Sequence, residues 1–169
     1  MRAGELEMNI RKITLLAIFI ALSVVGASIK IPAVVTSVAL DAFPALLAAA
    51  FFGPLAGGIV GGLGHMLSAV IGGMMMGPLH LLVALEMFVL VFLFGIFYRQ
   101  GQRYIAGIVF FIGNAFIAPI PFIFLFSVTF YTALLPSLII GSLINTIVGL
   151  LLIPRLGTLF QNAYQKNAS

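Results

Sequence analysis

The sequence contains no cysteine. A disulfide framework, a thiolate metal site and a cysteine nucleophile are therefore excluded together. Charge is almost as scarce. Lys, Arg, Asp and Glu make up 7% of 169 residues, against about a quarter of an average soluble domain. The motifs of common hydrolases are also missing. There is no H-E-x-x-H and no G-x-S-x-G, and only one aspartate, Asp41, so a paired-aspartate site is impossible. The two histidines, His65 and His80, and the carboxylates Asp41 and Glu86 show no metal-ligand spacing. The expectation is a protein that is not an enzyme and carries no cofactor.

What is present is apolar. Hydrophobic residues reach 63%, and the mean hydropathy is +1.28. A chain with so few groups able to face water is not a soluble globular domain, a disordered protein or a nucleic-acid binder. The remaining class is a single integral-membrane domain, all-α, in contact with the lipid bilayer.

A bilayer-crossing helix needs about 20 mostly apolar residues. Six runs are predicted as spans: Lys12–Ile29, a short Asp41–Phe52, Pro54–Ile71, Leu79–Tyr98, Arg103–Phe126 and Tyr131–Pro154. Gly53-Pro54 and Gly77-Pro78 are stop–start signals, and the polar run from Arg99 to Arg103 is a turn. Pro119 and Pro121 interrupt the fifth apolar run. Residues 1–11 are read as an N-terminal segment, 12–156 as the membrane domain and 157–169 as a tail. The first run precedes no small-residue cleavage site and reads as a retained helix.

Six spans place both termini on one side. Arg2, Arg11, Lys12, Arg99, Arg103, Arg155 and Lys166 fall on that side, and Lys30 alone on the other. The positive-inside rule then makes both termini cytoplasmic. The apolar, β-branched stretch Ile31–Leu40 is expected to be an ordered outer loop lying over the domain.

Polar groups inside a membrane are costly, so they are the first place to look for function. Asp41, His65, His80, Glu86 and Lys30 gather in the outer half, with Asn114 and Asn145 nearer the midplane. His65 and Glu86 lie about six and seven residues below outer helix ends, roughly 10 Å deep. The clustering suggests a polar pocket opening outward under the loop. Plainer roles stay open. Asp41 would also serve as a helix cap, His65 as a core histidine, His80 as an interfacial residue, and Asn114 and Asn145 as interhelical glue. Lys30 would also serve to close the loop onto Asp41. Glu86 is the hardest to explain structurally, because a buried carboxylate needs a partner.

The third span carries overlapping G-x-x-x-G pairs, Gly57/Gly61 and Gly58/Gly62, which predict close helix packing and no particular ligand. They form no phosphate loop, since no Lys follows. Met74–Met76 between glycines is read as an adaptable apolar outer loop. Ala17 and Ala21, four residues apart, share one helix face. The chain shows neither the internal repeats of a carrier nor a nucleotide motif. A pocket without an energy source implies partners that supply one.

These residues together resemble a substrate-binding S-component of an energy-coupling-factor (ECF) vitamin transporter. The resemblance spans nearly the whole chain. It rests on the opening Lys12–Ser23 with its A-x-x-x-A face, on Ile31-Pro32, Ala39-Leu-Asp41, Phe52-Gly-Pro54 and the Gly-rich third helix, and on Asn145 with Pro154-Arg155-Leu156. It implies six helices in an S-component-like bundle, with substrate bound near the outer face. It also implies an ECF transmembrane scaffold subunit and two cytoplasmic ATPase subunits as partners. Ala17 and Ala21 inherit the scaffold-docking role, and the whole subunit is expected to topple in the membrane to release substrate. The segment Gly77–Met87, with Ala39-Leu-Asp41 and Leu63-Gly-His65, is most similar to S-components for α-ribazole, a neutral cobalamin precursor. Phe and Met side chains would hold its flat ring. Asp41, His65, His80, Glu86, Lys30 and Asn114 form the expected substrate-binding set. Another small vitamin, a pyrimidine precursor and a ligand-free membrane assembly protein remain the alternatives.

Overall fold

The computed structural model describes the backbone of residues 3–32 and 37–165, and the side chains of residues 10–29 and 39–158. The chain runs through α1 (Ala3–Ser28), a ribbon of β1 (Lys30–Pro32) and β2 (Ser37–Ala39), α2 (Phe43–Phe52), α3 (Pro54–Ile71), α4 (Leu79–Arg99), α5 (Arg103–Ile112), a π-helical turn (Gly113–Ile117), α6 (Pro121–Leu125) and α7 (Val128–Gln165). α5, the π turn and α6 make one broken membrane segment, Arg103–Leu125, so the bundle has the six expected membrane segments. Five are long and apolar enough to cross a bilayer. α2 has ten residues, about 15 Å of helix, or half a hydrocarbon core.

The loop predicted over Ile31–Leu40 is a ribbon where it is described. Lys30 pairs antiparallel with Ala39, Ile31 with Val38 and Pro32 with Ser37. The ribbon is held onto α1 at Gly26, whose carbonyl accepts from the Leu40 N–H at 3.1 Å. A Cβ at Gly26 would fall on the Leu40 carbonyl, so the crossing requires glycine there.

Four helix limits differ most from those expected. α1 begins at Ala3, so most of the expected N-terminal segment is helix continuous with the first span. α2 starts at Phe43, leaving Asp41 ahead of the helix. α7 runs through both Pro136 and Pro154 to Gln165, because neighbouring helices in a membrane re-satisfy the groups a proline frees. The fifth segment does not continue as one α-helix. An α-helix through this stretch needs the N–H of residue 119 for the Ala115 carbonyl and that of 121 for Ile117, and both are proline. The backbone widens instead, and Ala118 donates five residues back to Gly113 at 2.8 Å.

The glycines of α3 pack as the spacing predicted, against two different neighbours. Gly57 meets Ala49 of α2, while Gly58, Gly61 and Gly62 lie on α4 at Phe88, Val91 and Ala84. Gly64 receives Ser23 of α1, 2.8 Å from where a Cβ would stand. Phe94, Phe110, Leu46, Val60 and Val91 fill the fully buried centre. The outward faces are apolar, with Leu63, Leu67, Leu81 and Leu85 about half or more exposed. That is the arrangement of a surface solvated by lipid.

Candidate functional site

A cavity of about 200 Å³ opens beneath the ribbon, between α2, α3, α4, the π turn and α7. Its polar wall comes from Asp41, His65, Asn114, Ser137, Ser142 and Asn145. Its apolar wall comes from Val83 and Met87 of α4 and from Leu134 and Leu138 of α7. No Lys, Arg, Phe, Tyr or Trp lines it among the described residues.

Asn145 organises this end of the fold. Its Oδ1 accepts from the N–H groups of Ala42 and Phe43 at 3.1 and 2.9 Å. Its Nδ2 donates to the carbonyls of Ala39 and Gly141 at 2.8 and 2.9 Å. All four hydrogen-bonding positions of the amide are used. α2 makes no cap bond with its own N-cap side chain, so Asn145 caps it from α7, 102 residues away. The cap expected of Asp41 is supplied by a residue read as interhelical glue.

Asp41 stands ahead of α2 and faces the cavity. Burial pushes its carboxyl up to about 6, against the opposing pull of the Asp41 and Ala42 backbone N–H groups. In the unfolded chain it titrates near 3.8, so folding favours the protonated form. The stabilisation from that form is complete below pH 4 and lost as pH rises through about 6. An Asp41→Asn chain, neutral throughout, is expected to lose none of it. Unfolding curves in detergent from pH 4 to 8 should coincide at the acid end. They should diverge to about 3 kcal/mol in favour of Asp41→Asn above pH 7. Curves that stay parallel across that range would remove the buried carboxyl from the account.

His65 and His80 meet between α3 and α4. His65 Nε2 is 3.2 Å from His80 Nδ1, and the Met76 N–H donates to His80 Nε2 at 3.5 Å. A backbone N–H only donates, so in neutral rings His80 Nε2 accepts and Nδ1 carries the proton. His80 then donates to His65 Nε2, and that bond orients the ring and leaves its Nδ1–H as a donor beside the cavity. Asn114 sits on the π turn and donates through Nδ2 to Ser142 Oγ at 2.8 Å. π turns are frequent at functional sites because they rotate one residue out of helical register.

The expected site residues divide. Asp41, His65 and Asn114 line the cavity, and His80 is placed behind His65. Glu86 is outside the lining. Val83 and Met87, four apart, face the cavity, and Glu86 lies at the margin of that face, about 60° from Val83 and about 100° from Met87 around the helix. Its Oε2 is buried without a hydrogen-bond partner among the described residues. Lys30 opens β1; its side chain, and with it the pairing to Asp41, lies outside the described residues. Met87 is present as a soft contact for a ring, but the expected phenylalanines are not part of the wall. Ala17 and Ala21 are exposed on α1.

Ser137 and Ser142 were not anticipated. Ser137 is 7% exposed, and its Oγ has no partner among the described residues. The signal for both was a stripe on the last span: Leu134, Ser137, Leu138, Gly141, Ser142 and Asn145 fall on one helical face.

Comparison with known proteins agrees with this architecture. The family model described as "ECF transporter, substrate-specific component" matches residues 11–168. A solved S component of a bacterial ECF transporter is 22% identical, with a TM-score of 0.63, over 90% of this chain and 99% of the other. At that identity the likeness speaks for the fold. A search of curated proteins finds no significant match. The family model spans nearly the whole chain, and this chain belongs to the substrate-specific components of ECF transporters, which are substrate-binding subunits and not enzymes.

Proposed function

We propose that the chain captures a small, neutral, ring-bearing nutrient at the outer face of a prokaryotic cell membrane, with both termini cytoplasmic, and that α-ribazole or a close cobalamin precursor is that nutrient. The scaffold subunit and two ATPases of an ECF transporter then drive its uptake. One observation carries the ligand class: the cavity wall combines hydrogen-bonding groups with aliphatic and thioether surface and has no fixed cation among the described residues. An anionic vitamin would leave its charge unpaired there. A nucleoside satisfies the wall through its hydroxyls, and its flat base fits between Met87, Leu134 and Leu138. The cavity of about 200 Å³ is below the roughly 300 Å³ at which ligand pockets begin. Entry of a nucleoside therefore requires the cavity to widen.

The test is a thermal-shift and calorimetric screen of the detergent-purified chain. The panel holds α-ribazole, its free base, cobalamin, pantothenate, thiamin-pathway pyrimidines, riboflavin and biotin. A ligand at 100 times its Kd stabilises the fold by about 2.7 kcal/mol. A selective response to α-ribazole is expected. A response to another compound would overturn the substrate and keep the class. Ser137→Ala adds a local check. Its hydroxyl has no partner to lose among the described residues, so the unfolding temperature should hold while affinity falls roughly three- to tenfold. Unchanged affinity would remove Ser137 from the site.

A further inference from the structure

At the opposite end of the bundle from the ribbon, the start of α5 and the later part of α7 enclose a second groove of about 300 Å³. Arg103, Tyr104, Leu150, Leu151, Pro154 and Arg155 line it. Two guanidiniums thus face one space, and neither forms a salt bridge among residues whose side chains are described. Arg103 is already oriented. It donates through Nη2 to the Tyr104 hydroxyl at 2.9 Å, and its guanidinium carbon lies 4.8 Å from the centre of that ring. Below the arginines the wall is aliphatic. Leu150 and Leu151 lie one to one and a half turns deeper than Arg155 along α7, about 6–8 Å further into the span. Leu151 and Tyr104 are exposed on the lipid-facing surface.

A cationic rim above an apolar wall, open toward lipid, has the polarity of one phospholipid molecule. We propose that this groove binds an anionic phospholipid, with its phosphate between Arg103 and Arg155 and an acyl chain along Leu150, Leu151 and Pro154. Charge selects the headgroup: a zwitterionic lipid brings its own cation to a site that already holds two. The aliphatic wall distinguishes a lipid from free phosphate, which would gain nothing from it. Tyr104 holds Arg103 at the depth where headgroups lie.

Native mass spectrometry of the full chain, released from nanodiscs of mixed phosphatidylglycerol and phosphatidylcholine, tests this directly. One phosphatidylglycerol is expected to stay bound, preferred over phosphatidylcholine by roughly tenfold or more, as two arginines at a membrane surface allow. Arg103→Gln with Arg155→Gln should bring that preference close to one. Both positions are exposed, so the unfolding temperature in phosphatidylcholine should not change, nor should substrate binding under the ribbon. Equal retention of the two lipids, or a preference that survives the double substitution, would overturn the proposal. Equal stabilisation by inorganic phosphate alone would overturn the lipid assignment. Loss of scaffold association without any change in lipid preference would reassign the groove to a protein contact.

Discussion

An Asn145→Ala chain is expected to lose ligand binding by at least a hundredfold and to unfold far more readily than the parent. The amide answers four backbone groups at once. Removing it takes the acceptor from the Phe43 N–H, one of two acceptors from the Ala42 N–H, and a donor from the carbonyl of Ala39. An orphaned buried polar group costs about 1–3 kcal/mol, and loss of a helix cap about 1 kcal/mol. A total of roughly 2–4 kcal/mol is a large share of a typical 5–15 kcal/mol stability. The binding effect follows from position, because Ala39, Asp41 and Ala42 are themselves cavity wall. Asn145→Asp separates the two roles. It keeps the acceptor that caps α2 and loses the donor that holds Ala39. Unfolding should then be partly restored while ligand titration still reports weak binding. If Asn145→Asp binds as tightly as the parent, the tie to the ribbon has no part in the site.

The second large effect concerns the other side of the molecule. Ala17→Trp is expected to leave substrate affinity within about twofold, as surface changes generally do, and to reduce ATP-driven uptake to background. Ala17 and Ala21 are both exposed, among Ile13, Ile18 and Leu22, which are 65%, 49% and 43% exposed. A strip of small residues lets another helix approach closely, and an indole at its centre holds that helix away. The measurement pairs ligand titration of the purified chain with uptake by vesicles holding the full transporter. Normal uptake by the Ala17→Trp protein would move the docking surface elsewhere.

The six membrane segments and the main breaks were legible because hydropathy, Gly-Pro steps and turn residues are local signals. The break after Ile112 was visible as Pro119 and Pro121, but its form was not. Whether two missing donors produce a kink, a turn or a π bulge depends on what packs alongside. The site was half legible. Asp41, His65 and Asn114 stood out because polar groups are rare in such a chain. Glu86 stood out for the same reason and lies beside the lining rather than in it, since rarity says nothing of how far a helix is turned. Ser137 and Ser142 were overlooked because serine is unremarkable in a membrane helix until its neighbours on the same face are considered. Asn145 was noticed and undervalued. Its partners lie more than 100 positions earlier, beyond the reach of any local pattern.

That separation has a bearing on biogenesis. α3 and α4 are neighbours in sequence and pack through glycines, so they can associate as soon as both have entered the bilayer. The cavity can not, because its cap, its ribbon tie and the Ser137–Asn145 stripe all arrive with α7. Synthesis therefore passes through a chain that is inserted and partly packed but unable to hold its nutrient, and competence arrives in one step with the last helix.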